Sequence, residues 1–473
     1  MGEKTCKVFT PPAIVAYMLD KAGYVTNLQG KKVLENSCGT GRFLTEIVRR
    51  YIVDARLRGM SDEKIVDGLE KDICGIEKED DAYAECKKNL DQTAMEFGLT
   101  DILWNIRLGD ALAMTYEPEY QYVVGNPPYI TYYNMQEKDR TLIRNQYAVC
   151  KKGKADYYYA FTEAAIKALA PNGIMVYLIP NNFMKNHYSE ELRNFILPYL
   201  SELEDFKFER IFENRQISSA IIVCEKQCRK KDFLYIDREN ASKSMISKTH
   251  LQGKWMFHAL SNKSGRSRRF GDMFRVSAPV ATLLNEAFVI NDFAENEMWI
   301  EKDGFRLEKE GLRLAASPKS KQLKEKSYII FPYYYENDKC CRYEEEVFTR
   351  LFPQIAAYLE QYRDRLLKRN AEKKCKWFEY GRSQALAHID QEKIMLSTLI
   401  TGRVRYYHLA KEVVPYSGMY IVPKKNNTIE QAVHILESKA FYDYITSIGI
   451  HANGKTYRIS PRDVGNYILE EKW

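Results

Sequence analysis

The first 225 residues alternate short apolar runs with longer helix-like stretches, and this alternation restricts the fold more than any other feature. The apolar runs predict strands at 32–34, 73–76, 104–108, 122–124 and 174–179. The stretches between them predict helices at 43–58, 80–97 and 155–170, after a first helix that begins at Thr10-Pro11-Pro12. Strands that alternate with helices build a parallel sheet covered on both faces. We therefore expect an α/β fold, with segments 205–208 and 220–223 as a strand pair at its edge.

The alternation stops in a polar, basic segment that runs from about Lys226 to Arg275. A chain of 473 residues is long for a single core, which favours two domains. We place them at 1–240 and 241–473. The second domain mixes short strands, such as 328–331, with a long helical stretch from Glu344 to Lys374, so we expect an α+β architecture there.

Composition sets the broad class of the protein. With 45% apolar and 29% charged residues, the chain resembles globular proteins rather than disordered ones. No apolar run approaches the ~20 residues needed to cross a bilayer, and the first residues lack the apolar stretch of a signal peptide. We therefore expect a cytoplasmic protein without membrane segments. The ten cysteines form no paired Cys-x-x-Cys motifs, so we expect no metal site.

The segment from Val33 to Leu44 reads as a strand, a glycine-containing turn and a helix. Glycine lets backbone N–H groups approach a ligand, and a helix N-terminus favours negative charge. This signal is weak alone, because tight turns also use glycine for packing. Glu77 and Asp110 end the next two strands, where one carboxylate could accept ribose hydroxyls and the other an adenine amine. Each acid alone is equally compatible with a helix cap, but three successive strand ends favour a nucleoside site.

The strongest signal is the turn Asn126-Pro127-Pro128-Tyr129, which follows the predicted strand at 122–124. Two prolines cannot continue a strand ladder, so the chain leaves the sheet in a rigid conformation. The turn stands where open α/β sheets bind ligands. The amide oxygen and a neighbouring carbonyl can accept hydrogen bonds from a planar NH2 group, and the tyrosine can stack on the ring that carries it. This combination is suited to methylation of an exocyclic amine.

In these motifs and their order, the sequence resembles the gamma-class N6-adenine DNA methyltransferases, the group that includes the TaqI and Eco57I modification enzymes. The resemblance begins at Phe9-Thr10-Pro11-Pro12 and passes through the glycine loop to the Asn126 turn. It continues through Pro180-Asn181-Asn182-Phe183 to the segment 210–220, in which Phe212 best matches a second base-stacking aromatic, with Phe208 close by. One departure is Asn36, where relatives commonly carry proline; we expect little effect from it.

The resemblance implies a Rossmann-like S-adenosylmethionine-dependent methyltransferase domain, followed by an α+β target recognition domain. It implies transfer of a methyl group to a flipped-out adenine in double-stranded DNA, in a bacterial or archaeal restriction-modification system with a separate restriction endonuclease. The catalytic residues would be Asn126, Pro127, Pro128, Tyr129 and Phe212. The cofactor-binding residues would be Phe9, Thr10, Pro11, Glu35, Ser37, Cys38, Gly39, Gly41, Phe43, Glu77, Asp110 and Asn126.

The net charge of +7 is compatible with nucleic-acid binding without requiring it. Basic residues cluster at 263–269 and 363–376, which solvated surfaces would also explain. For the second domain we predict DNA contacts from Lys263, Arg266, Arg268, Arg269, Arg382, Arg403 and Arg405.

The sequence leaves other functions open. A similar turn occurs in enzymes that methylate protein glutamine or the N2 group of guanine in RNA, and a related serine-containing turn occurs in enzymes that methylate cytosine N4. A DNA-binding subunit without turnover and a fused nuclease are further alternatives. The motif formed by Asp81, Glu85 and Lys87 could suggest the nuclease, but helical surface spacing explains it.

Overall fold

The computed structural model describes residues 9–207, 209–212, 217–251, 253–257, 268–319, 326–452 and 456–469. The chain divides into two compact units, 1–258 and 259–473. None of the helices in the described ranges is long and apolar enough to span a membrane.

The first unit is built on a nine-stranded sheet in the order β3-β2-β1-β4-β5-β7-β6-β8-β9. Its strands are β1 (Val33–Glu35), β2 (Ile73–Glu77), β3 (Asn105–Leu108), β4 (Tyr120–Gly125), β5 (Leu169–Pro180), β6 (Leu200–Asp205), β7 (Ser219–Glu225), β8 (Asp232–Asp237) and β9 (Ser242–Ser247). Its helices are α1 (Pro12–Ala22), α2 (Arg42–Leu57), α3 (Asp62–Asp72), α4 (Asp80–Met95), α5 (Glu137–Gln146), α6 (Tyr157–Ala168) and α7 (Glu190–Ile196).

Strands β1 to β5 run parallel, and β7 pairs antiparallel with both β5 and β6. Successive strand residues enter opposite cores, as the two-residue period of a strand requires. In β4, for example, Val123 packs in the core that contains α6 and α7, whereas Val124 packs in the core with α1 and α2. The predicted α/β fold, a parallel sheet with helices on both faces, is confirmed.

The first unit extends beyond the expected boundary at 240. Strands β8 and β9 form a hairpin that adds to the sheet through β6. Trp255 is 1% exposed and packs against Phe183 and Phe233, with ring centroids 5.8 and 6.1 Å apart. The buried guanidinium of Arg193 donates to the carbonyl of Gly253 at 2.6 Å. A division at 240 would cut this hairpin and remove Trp255 from its core.

The second unit contains several small sheets, with strand orders β10-β23-β19-β21, β11-β16-β15-β22, β12-β13-β14, β17-β18 and β20-β25-β24. Its strands are β10 (Phe274–Ser277), β11 (Val289–Ile290), β12 (Ala294–Glu295), β13 (Trp299–Lys302), β14 (Phe305–Glu308), β15 (Leu312–Ala316), β16 (Tyr328–Ile330), β17 (Tyr333–Glu336), β18 (Lys339–Arg342), β19 (Lys393–Leu396), β20 (Leu399–Thr401), β21 (Tyr406–Leu409), β22 (Val414–Pro415), β23 (Met419–Pro423), β24 (Ile450–His451) and β25 (Thr456–Arg458). Its helices are α8 (Phe270–Met273), α9 (Asn285–Phe288), α10 (Glu345–Leu351), α11 (Pro353–Glu360), α12 (Arg363–Leu367), α13 (Ile429–Glu437), α14 (Lys439–Ile448) and α15 (Pro461–Gly465).

The prediction of one long helical stretch from Glu344 to Lys374 is wrong, because the stretch is not continuous. It divides into α10, α11 and α12, and no helix follows α12 before the end of that stretch. Phe352 adopts φ −129° and ψ 63°, outside the helical region. A residue that precedes proline avoids the α conformation, so Pro353 ends one helix and begins the next.

Candidate active site

The carboxyl ends of β1, β2 and β4 lie side by side, because these strands are parallel neighbours in the sheet. They end in Glu35, Glu77 and Gly125, which Asn126 follows directly. The topology therefore brings together three segments that are far apart in the sequence.

The glycine loop turns sharply between β1 and α2. Gly39 and Gly41 have φ values of 53° and 84°, a region that side chains other than glycine rarely adopt. A Cβ atom on Gly41 would lie 2.7 Å from the sulfur of Cys86, so the loop also packs closely on α4. The N–H of Gly39 donates to the carboxylate of Glu77 at 2.7 Å, which fixes the loop to the end of β2.

The two acids at the ends of β2 and β3 are held by local hydrogen bonds. Glu77 accepts from the backbone N–H groups of Lys78 and Glu79, both at 2.9 Å, through its other oxygen. Asp110 accepts from the N–H of Leu112 at 3.0 Å and pairs with the ammonium of Lys78 at 3.1 Å. Asp110 thus caps a 3-10 helix, as one interpretation of the sequence allowed, and Lys78 links the two acids.

Glu35 and Asn36 are 3% and 2% exposed, respectively, and each has a buried polar atom without a partner among the described residues. These atoms are Oε2 of Glu35 and Nδ2 of Asn36. The amide oxygen of Asn36 accepts from the hydroxyl of Tyr177, which orients the side chain. Burial raises the pKa of Glu35 well above its usual range. Unpaired buried polar atoms cost free energy, so their clustering at strand ends indicates a ligand site.

Asn126 carries a third unpartnered buried atom, its side-chain oxygen Oδ1. Its Nδ2 donates to the hydroxyl of Thr10 at 3.1 Å, in the segment just before α1. The free oxygen is therefore an acceptor for a donor that the described chain does not supply. A planar NH2 group of a substrate fits this requirement.

The aromatic side chains expected to stack on a base lie together. The ring centroids of Tyr129 and Phe212 are 6.4 Å apart, and their planes meet at 72°. Tyr129 is half-buried, and its hydroxyl donates to the carbonyl of Leu178 at 2.9 Å. Phe212 is 2% exposed, so much of its ring is covered in this conformation. Phe208 lies outside the described residues.

The remaining predicted cofactor residues occupy different environments. Phe9 is 53% exposed, with the guanidinium of Arg42 4.9 Å from its ring centroid. Cys38 and Phe43 are buried in the core beneath the glycine loop, whereas Pro11 and Ser37 are half-buried. Asn36, from which the sequence predicted little effect, places a buried amide beside Glu35 and accepts from the hydroxyl of Tyr177.

Several basic residues predicted to bind DNA are exposed in the second unit. Lys263 and Arg266 lie outside the described residues, and Arg268, Arg269 and Arg382 are exposed. Arg403 and Arg405 line a groove of about 730 Å³ with Tyr406, Tyr442 and Lys439. By contrast, part of the basic run at 363–376 serves internal structure: Arg369 donates to the carbonyls of Trp377 and Glu379, at 2.8 and 3.0 Å.

No group of three or more His, Cys, Asp and Glu side chains in the described part of the chain could hold a metal ion.

The sheet order, the glycine loop, the acids at successive strand ends and the free amide oxygen together form the arrangement expected for the class of S-adenosylmethionine-dependent methyltransferases. Residues 47–212 match the family model of the Eco57I restriction-modification methylases. This segment lies within the first unit. The predicted resemblance to this family is thereby confirmed over these residues.

Two curated relatives agree with this assignment. The chain is 26% identical over 283 residues to the type II methyltransferase M.BstVI of Geobacillus stearothermophilus, over 52% of this chain and 50% of that protein. It is 23% identical over 331 residues to the type II restriction enzyme and methyltransferase RM.Eco57I of Escherichia coli, over 61% of this chain and 33% of that protein. Each match spans half or less of the relative.

Among solved structures, the type IIL restriction-modification enzyme MmeI in complex with DNA aligns with a TM-score of 0.62. The alignment covers 96% of this chain and 65% of that chain, at 13% sequence identity. At this identity the likeness concerns the fold.

Proposed function

We propose that the protein is a site-specific DNA adenine N6-methyltransferase that acts as the modification enzyme of a restriction-modification system. The observation that carries this proposal is the buried, unpartnered Oδ1 of Asn126 in a turn of two prolines and a tyrosine. A chain that buries an acceptor without a donor loses stability unless a ligand completes the hydrogen bond. The exocyclic amine of adenine supplies that donor.

The glycine loop and the strand ends would hold the cofactor. When bound, S-adenosylmethionine supplies an electrophilic methyl group on a positively charged sulfur. Glu77 would hold the ribose and Asp110 the adenine amine, and the buried carboxyl group of Glu35 would contribute to the same cofactor pocket. The hydrogen bonds that Glu77 and Asp110 already accept leave each of these carboxylates with free lone pairs, because a carboxylate offers about four acceptor sites.

The target adenine must leave the duplex to reach Asn126. Stacking on Tyr129 and Phe212 offsets part of the few kcal/mol that flipping costs. The amine lone pair is delocalised into the ring, which makes the free amine a poor nucleophile. Hydrogen bonds to Asn126 Oδ1 and the carbonyl of Pro127 favour a tetrahedral nitrogen whose lone pair points at the methyl group. Positioning supplies most of the rate, and the proton leaves to solvent.

In this proposal the second unit recognises the DNA sequence. Its exposed arginines and the groove at Arg403 and Arg405 support that role, because basic side chains near aromatic rings suit phosphates and bases. A separate restriction endonuclease is the expected partner of such a modification enzyme.

The test is sequencing of genomic DNA with modification detection, from cells with and without the expressed protein, followed by nucleoside analysis. We expect N6-methyladenine at one sequence motif, and its loss in Asn126→Ala with cofactor binding intact. Asn145→Ala, an exposed asparagine on α5, is the matched control. Methylation of cytosine N4, or of RNA or protein without DNA, would contradict the proposal.

A further inference from the structure

A basic surface lies beside the catalytic turn in the first unit, outside every residue assigned above. Three lysines, Lys151, Lys152 and Lys154, fall within four positions in the loop before α6. Two tyrosines flank them: Tyr133 is 71% exposed and Tyr188 39% exposed. These five residues form what we call the lysine surface.

Two hydrogen bonds join the residues that follow this loop to the exit of the catalytic turn. The N–H of Tyr157 donates to the carbonyl of Ile130 at 2.9 Å, and the N–H of Tyr132 donates to the carboxylate of Asp156 at 3.1 Å. At the start of α6, Tyr158 packs against Tyr129 with ring centroids 6.2 Å apart. The loop is therefore positioned by the same elements that position the stacking tyrosine.

Side-chain contacts make the lysine surface compact. The ammonium of Lys154 donates to the hydroxyl of Tyr133 and lies 4.5 Å from its ring centroid. A Cβ atom on Gly153 would lie 2.6 Å from the ring of Tyr188, so backbone and ring are in close contact. Contiguous exposed apolar surface marks interaction sites more often than single exposed side chains do, and Tyr133 and Tyr188 both contact this one loop.

The charges of this surface are only partly balanced. Lys152 pairs with Glu191 at 2.7 Å, and its side chain is 80% exposed. Neither Lys151 nor Lys154 has a carboxylate within ion-pair distance in the described ranges. Asp156 is turned towards the backbone N–H of Tyr132. Two positive charges thus remain available in the loop before α6, whose first residues contact Ile130 and Tyr129.

We infer that the lysine surface binds the phosphate backbone of the DNA strand that carries the target nucleotide. The inference rests on the proposed function and adds to it a DNA contact from the catalytic unit. A flipped nucleotide stays joined to its neighbours, so their phosphates lie close to the turn that holds its base. Lys151 and Lys154 neutralise these phosphates, and Tyr133 keeps Lys154 in place. Such contacts give affinity without sequence information.

The test measures the salt dependence of DNA binding by the full chain, with fluorescent duplexes of unrelated sequence. Each phosphate contact contributes about 0.9 to the slope of log affinity against log salt. We expect Lys151→Ala/Lys154→Ala to bind every duplex more weakly and to flatten the slope by up to about 1.8, at 0.9 per contact. Its affinity for S-adenosylmethionine should match that of the parent.

The matched control is Lys230→Ala/Lys231→Ala, which removes the same charge just before β8. Strands β5, β6 and β8 run in the same direction, because β7 is antiparallel to both β5 and β6 and β8 is parallel to β6. The start of β8 therefore lies at the amino ends of the strands, away from the carboxyl ends where the catalytic turn stands. Equal slopes for parent and Lys151→Ala/Lys154→Ala would overturn the inference, as would equal flattening in the control. A parent that binds no duplex would also overturn it.

The proposed function is judged separately, by methyl transfer from the parent to DNA. A parent that methylates DNA, with unchanged slopes in the variant, would overturn the inference alone. A parent that binds DNA but places no methyl group on adenine would overturn the proposed function.

Discussion

The side-chain amide of Asn126 donates to the hydroxyl of Thr10, with 3.1 Å between Nδ2 and Oγ1. Thr10 lies just before α1, in the segment expected to contact the cofactor, whereas Asn126 follows β4. Because the nitrogen is engaged, the oxygen is the atom left free to accept a hydrogen bond. In the proposed function, Thr10 is therefore a positioning residue for the Asn126 amide.

Thr10→Val should lower the turnover number for DNA methylation, because Asn126 loses the partner that orients it. A neutral hydrogen bond of this kind contributes about 0.5–1.5 kcal/mol, which corresponds to roughly a twofold to thirteenfold loss of rate. Thr10→Ser retains the hydroxyl and should restore most of the activity. Single-turnover kinetics would measure both variants. Equal rates for Val and Ser would show that the hydroxyl does not position Asn126.

Glu77→Ala should weaken S-adenosylmethionine binding by about 1.5–3 kcal/mol, the range for a hydrogen bond to a charged group. Part of this loss would come from the glycine loop, because the N–H of Gly39 loses its acceptor. Isothermal titration calorimetry measures the affinity, and thermal unfolding checks that the fold persists. Glu79→Ala, at the exposed start of α4, is the control. An unchanged affinity would remove Glu77 from the cofactor site.

Glu35→Gln should stabilise the protein without cofactor, by a margin that grows as pH rises. Burial raises the pKa of Glu35, so the folded state holds a proton that the unfolded state releases at lower pH. The resulting stability is fully present below the unfolded pKa and is lost as pH rises through the folded pKa. Glutamine does not titrate and avoids this loss. Thermal unfolding of the parent and of Glu35→Gln would be measured between pH 4 and about 8, a range that includes the unperturbed pKa of glutamate. If the pKa of Glu35 were not raised, the difference in stability between the two proteins would not change with pH in the predicted direction.

Arg403→Ala/Arg405→Ala should weaken DNA binding by the full chain and leave cofactor affinity unchanged. Neither guanidinium has a carboxylate partner in the described part of the second unit, and both line the groove beside Lys439. Arg363→Ala/Arg365→Ala is the control, because these arginines already pair with Glu360 and Glu286. Filter binding at several salt concentrations would compare the two. A larger loss in the control would place the DNA elsewhere.

Much of the first unit follows from local sequence patterns. The strand before the glycine loop and the helix after it appear at 33–35 and 42–57, close to their predicted positions. The reason is that hydrophobic period, glycine and proline act locally. The β8–β9 hairpin was not predicted, because β9 is largely exposed and lacks apolar alternation. It exists because β8 pairs with β6, a contact that no local pattern encodes.

The part of the candidate site that lies directly after predicted parallel strands could be predicted from the sequence. Glu77, Asp110 and Asn126 were predicted because parallel strands bring their carboxyl ends to one edge, whereas Glu35 was expected from the family resemblance. The Thr10 hydrogen bond to Asn126 was not predictable, since it joins residues that are far apart in sequence through a side-chain orientation. The lysine surface was also missed, because the basic runs considered were the longer ones of the second half.

The outer strand of the large sheet has a consequence for handling the first unit alone. Strand β9 presents Lys243 and serines on a mostly exposed edge, and charged, polar edges discourage pairing with other chains. A fragment that stops at residue 240 would leave β8 as the edge, with the buried rings of Phe233 and Tyr235 deprived of Trp255 and Phe257. Such a fragment would be prone to aggregate through β8. A fragment that retains the hairpin and Trp255 would keep the polar strand β9 as its edge.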